Sequence, residues 1–100
     1  MIELGGKEFP FEKYTMRHGA FVEDLCGYGV SQLIEEMQKT PLRSMIKLIY
    51  TGIEAGCSAQ KIPCKWSIED ITELCFDEGI EKLSAFLSVE EAKKKEAVST

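Results

Sequence analysis

One hundred residues are enough for one domain around one core, and 44% apolar against 29% charged residues excludes general disorder. The formal net charge of −5 argues against tight nucleic-acid binding, which depends on Lys and Arg neutralising phosphates. No apolar run approaches the roughly 20 residues of a bilayer-spanning helix, and the longest candidate, Leu42 to Ile53, is broken by Arg43, Lys47 and Gly52.

The chain opens as a hairpin over residues 1–12. Ile2 and Leu4 alternate with Glu3, Gly5-Gly6 supplies the positive φ angles of a tight turn, and Lys7 to Phe11 resumes the extended pattern. Pro10 cannot donate to a ladder, so the second strand is an edge strand or ends there. The Met-Ile-Glu-Leu start lacks the basic-then-apolar layout of a signal peptide.

Thr15 is the expected N-cap of a first helix running to about Cys26, with Met16, Ala20, Phe21 and Leu25 near its apolar face and Gly27-Tyr28-Gly29 as its stop. Ser31 is expected to cap a short second helix carrying Leu33, Ile34 and Met37. Thr40-Pro41 marks the next start, because proline at the first helical position loses no hydrogen bond there.

The helix that follows carries Leu42, Met45, Ile46, Ile49 and Ile53 on one stripe, widened by Leu48 and Tyr50. Arg43, Ser44, Lys47, Thr51 and Glu54 occupy the opposite face. So wide an apolar sector predicts a central helix packed on several neighbours. Gly56 is read as its terminator and Gly52 as tolerating crowding, in preference to a close helix approach at the two glycines.

Residues 57–66 read as a loop. Ser67 then caps a helix opening with Glu69 and Asp70 and burying Ile68, Ile71, Leu74 and Cys75. After Gly79 the apolar pattern restarts at Ile80, Leu83, Phe86 and Leu87. The fold class is therefore mainly α: one soluble domain of four to five helices over residues 1–89, with a short N-terminal β-hairpin. Residues 90–100 are expected to fray. The Lys93-Lys94-Lys95 cluster there is flanked by Glu90, Glu91 and Glu96 and reads as a solvated helix end.

No constellation suggests catalysis, and neither a cofactor nor a metal is expected. His18 has no partner pattern and is read as solvent-exposed or capping. Gly5-Gly6-Lys7 lacks the full glycine-rich phosphate loop, because extended sequence follows it where a helix is required. The acidic run from Glu69 to Glu81 lacks calcium-loop spacing. Cys26, Cys57, Cys64 and Cys75 lack the close pairs of a metal site and are read as buried or partly buried free thiols rather than a disulfide framework. Trp66 is read as a core anchor before a helix start, with a binding hot spot as the alternative.

Two segments carry a family resemblance: Leu48-Ile-Tyr-Thr-Gly-Ile-Glu-Ala-Gly56 and Trp66-Ser-Ile-Glu-Asp-Ile-Thr-Glu-Leu74. With the Ile-Glu-Leu-Gly-Gly-Lys opening and the Thr-Pro-Leu helix start, residues 1–90 resemble the tail assembly chaperones of long-tailed bacteriophages and related prophages. The resemblance implies a non-enzymatic helical protein of the bacterial cytoplasm that binds the tape measure protein and keeps it soluble during tail assembly. It also implies self-association in some members.

No binding motif carries over residue by residue. From the apolar pattern, Leu48, Tyr50, Trp66, Phe86 and Leu87 are the candidate partner-binding residues, and ordinary core is the competing reading for each. Alternatives in function are a head–tail completion or adaptor protein. A helix-turn-helix DNA binder ranks below these, since the helix after Ser67 carries Glu69, Asp70 and Glu73 where basic residues are needed.

Overall fold

The computed structural model describes residues 1–88, so the expectations for residues 90–100 and the Lys93–Lys95 cluster lie outside the described residues. Strands β1 (Ile2–Leu4) and β2 (Lys7–Phe9) pair antiparallel, with Ile2 opposite Phe9 and Leu4 opposite Lys7. Gly5 and Gly6 take φ of 57° and 79°, the two positive angles of a type I′ turn. The ladder ends at Phe9, ahead of Pro10. One face of the hairpin, Ile2, Leu4 and Phe9, is buried against the helices, which supplies the support a two-stranded ribbon needs.

Five helices follow: α1 (Met16–Cys26), α2 (Val30–Glu36), α3 (Pro41–Ala59), α4 (Ile68–Phe76) and α5 (Ile80–Phe86). The fold is mainly α. The long α3 is central and packs on each of the other four. Met45, Ile46, Leu48, Ile49, Ile53 and Cys57 are buried along it, and Leu33, Ile71, Cys75, Leu83 and Leu87 close over them.

Local chemistry sets the boundaries. Thr15 accepts the His18 N–H, and Gly27 closes α1 at φ 78° with its N–H on the Glu23 carbonyl. Ser67 and Asp70 form a reciprocal capping box at the start of α4.

Four expectations are corrected. Helix α2 starts at Val30 with Gly29 as N-cap, so Ser31 lies inside it. The buried face of α1 is His18 and Val22; Met16, which was expected inward, is 94% exposed, and Ala20 and Leu25 also face outward. Ser44 and Thr51 on the supposed polar face of α3 are buried, because α3 is covered on more sides than a stripe implies.

The fourth concerns the end of α3. Gly56 lies within the helix, which runs on to Ala59. Lys61 then takes the left-handed conformation (φ 58°), with its N–H on Ser58 and the Ile62 N–H on Cys57. This pair of bonds is a Schellman closure, with lysine where glycine is usual. Gly52 and Gly56 instead admit the segment leaving the hairpin. The Phe11 ring lies over Gly52, the backbone of Pro10 and Phe11 passes over Gly56, and the Glu12 N–H donates to the Gly52 carbonyl at 3.0 Å.

Candidate partner-binding groove

Three large apolar side chains stay about half exposed around one hollow: Leu42 (49%), Phe76 (59%) and Ile80 (51%). They sit at helix ends. Leu42 is in the first turn of α3, Phe76 is the last residue of α4 and Ile80 the first of α5. Phe76 follows the buried Cys75, and one residue rotates a helical side chain by about 100°, which turns Phe76 outward. Between the three lies a cavity of about 240 Å³ with Ile46, Cys75 and Leu83 beneath it. That is below the roughly 300–1,000 Å³ of small-molecule pockets and suits a partner's side chain as anchor.

Glu78, at the edge of the groove, braces it. Its carboxylate accepts the Gly5 N–H at 2.9 Å and pairs with Lys82 at 3.2 Å, tying the hairpin turn to the α4–α5 link. The Gly5 N–H bond, with help from Lys82, holds the Glu78 carboxyl below its usual pKa. Beyond Phe76 a second hollow of about 410 Å³ is lined by Trp66, Leu74, Lys7, Asp70, Glu73 and Asp77. Asp70, Glu73 and Asp77 follow the i, i+3, i+7 spacing of one helix face, so α4 and its C-cap present a row of carboxylates to this second hollow.

The five sequence-derived candidates are not brought together. Leu48 is fully buried and Leu87 nearly so, which corrects their placement on a surface: both are core. Tyr50 is half-buried in a separate hollow with Phe21, Asp24, Leu25 and Glu54. Phe86 is half-buried at the end of α5, where its carbonyl accepts the Lys13 ammonium at 2.8 Å and the Leu87 carbonyl accepts the Tyr14 hydroxyl at 2.7 Å. Trp66 packs edge-on to Phe9, with ring centroids 4.7 Å apart, while also lining the acidic hollow.

Of the groove residues, the apolar pattern places Leu42 and Ile80 in the core and leaves Phe76 off it. The available signal was its offset from the Ile68, Ile71, Leu74 and Cys75 face.

His18 corrects another expectation. It is fully buried, with Nδ1 accepting the Tyr14 N–H at 2.8 Å and Nε2 facing the Leu48 carbonyl at 3.1 Å and the Thr51 hydroxyl at 2.9 Å. Accepting the Tyr14 amide fixes the tautomer with the proton on Nε2. Thr51 in turn donates to the Lys47 carbonyl at 2.7 Å. Burial lowers the imidazole pKa from 6.5 against smaller opposing effects of the Leu48 carbonyl and Glu12.

All four cysteines are free thiols, Cys57 and Cys75 buried and Cys26 and Cys64 half-buried. Burial pushes the thiols of Cys57 and Cys75 up to about 11, which suppresses thiolate chemistry. Among the described residues no group of three His, Cys, Asp or Glu is placed to hold a metal ion, and no helix is long and apolar enough to cross a membrane. Comparison with protein-family models, with curated proteins and with solved structures gave no match.

Proposed function

We propose that this chain is a tail assembly chaperone of a long-tailed bacteriophage or prophage, which covers apolar stripes of the tape measure protein in the bacterial cytoplasm until the tail tube assembles. The observation that supports this reading is the groove, where Leu42, Phe76 and Ile80 are all held half exposed around one apolar hollow. A helix laid in such a groove anchors through side chains at i, i+3, i+4 and i+7, the spacing of an amphipathic stripe. Covering three half-exposed side chains contributes about 1 kcal/mol each. One copy therefore holds its client weakly, as a cover that must later be displaced should, and several copies along a long client add avidity.

Co-expression with a tape-measure-like long chain, followed by co-purification, tests the reading. The wild-type protein is expected to keep the long chain soluble and elute with it, and the Phe76→Glu/Ile80→Glu double variant to fold normally but lose it. Precipitation of the long chain despite the wild-type protein sinks the chaperone role. Undiminished co-elution by the double variant removes the groove from it.

A further inference from the structure

We infer that the groove selects an amphipathic helix whose apolar stripe carries Lys or Arg along one flank, the flank lying over α4 and the start of α5. This rests on the groove reading above and adds the charge pattern of the client. Helices α4 and α5 and the link between them carry Glu69, Asp70, Glu73, Asp77, Glu78 and Glu81, against the single base Lys82, which Glu78 already occupies.

Among the described residues the ion pairs are Arg17–Glu12 and Lys82–Glu78, so Glu73, Asp77 and Glu81 form none, and Lys7 is the one base lining the hollow of Glu73 and Asp77. Asp77 and Glu81 directly follow the groove residues Phe76 and Ile80, and Glu73 lies one turn before Asp77 on the same face of α4. Across the groove, Arg43 follows Leu42 on α3. Phe76 and Ile80 are thus each followed by a carboxylate and Leu42 by a guanidinium, a pattern that fits a helix with unlike flanks. Trp66 lines the same hollow as Asp70, Glu73 and Asp77 and adds apolar surface beside them. A second copy of this chain fits less well. It would bring another acidic wall into the interface, with Arg43 to offset it.

The experiment uses two fluorescent synthetic helices with the same leucine stripe, one with a lysine flank and the other with glutamate in its place, titrated with the full chain. At about 50 mM salt the lysine helix is expected to bind about tenfold tighter, with the preference largely lost at about 1 M salt. Asp77→Asn/Glu81→Gln should shrink the preference from both sides, weakening the lysine helix and relieving repulsion of the glutamate helix, whereas Phe76→Ala/Ile80→Ala should weaken both. Equal binding of the two helices at low salt overturns the charge selection and leaves the groove reading standing. Binding of neither overturns both, as does sedimentation of the free protein as a dimer that Phe76→Ala/Ile80→Ala dissociates. Binding of the lysine helix unaffected by Phe76→Ala/Ile80→Ala places it elsewhere and also refutes the inference.

Discussion

Protonating His18 sets a second imidazole N–H against the Tyr14 amide, donor against donor, at a site with no water-exposed surface. The neutral ring is therefore the form that folds, in agreement with a pKa lowered from 6.5 by burial. In the window between 6.5 and that lowered value the unfolded chain binds more protons, so stability rises with pH. The contribution is complete above the unfolded pKa and is lost as pH falls toward the folded one. Glu54, raised by its own burial and by Asp24, works in the opposite sense, so the informative quantity is a difference between two proteins. His18→Gln is expected to lose about 1–3 kcal/mol at about pH 8 and to lose less further stability than the wild type on going to about pH 5. Urea denaturation at both pH values measures this; parallel losses in the two proteins would mean that His18 does not titrate on unfolding. Tyr14, which supplies the amide, sits at φ 60° and is pinned by its hydroxyl on the Leu87 carbonyl, so the histidine anchors a strained residue at the junction of hairpin and helices.

Helix α3 and the segment Pro10–Glu12 fit together only because the helix lacks a side chain at two positions one turn apart, Gly52 and Gly56. At Gly56 an added Cβ would overlap the backbone of Pro10 and Phe11, which cannot yield without moving the hairpin; at Gly52 it would meet the Phe11 ring, which can swing. Gly56→Ala is therefore expected to cost about 3 kcal/mol or more and Gly52→Ala distinctly less, despite the better helix propensity of alanine. Thermal denaturation of both variants decides it, and a Gly56→Ala protein as stable as the wild type would refute the packing account. Where the start signal is local, as at the Thr15 and Ser67-Asp70 caps and at Pro41, the elements were legible in the sequence, although the Thr40 hydroxyl expected to cap α3 makes no capping bond. The end of α3 was not, because a lysine takes the left-handed position that glycine usually marks. The inward face of α1 was equally hidden. Its apolar residues lie on several sides of the helix, and the face is chosen by a histidine whose partners, Leu48 and Thr51, are 30 and 33 residues away. The groove was illegible for a related reason: period counting assigns Leu42 and Ile80 to the core, and only the meeting of three helix ends leaves them at the surface.

At the scale of the molecule, one helix carries the core and every other helix packs on it, so damage to that helix has no second core to absorb it. A domain of this size has about 5–10 kcal/mol of stability, and an unpaired charge at a fully buried site removes several of those. Ile49 is fully buried and Ile46 nearly so, whereas Phe76 is more than half exposed. Ile49→Asp is accordingly expected to abolish the cooperative unfolding transition. Phe76→Glu, with its charge in water beside the groove, should leave the transition within a few degrees of the wild type. Circular dichroism melts on the two variants, with sedimentation velocity at the same concentration, separate the roles of the two apolar surfaces. If Ile49→Asp stays folded and changes only its state of association, the α3 stripe is an interface between chains and the core must be redrawn. If Phe76→Glu unfolds, the groove is part of the core and cannot stand open for a client. The expected pair of outcomes leaves the half-exposed ring at the end of α4 dispensable for folding, which is what a residue reserved for binding requires.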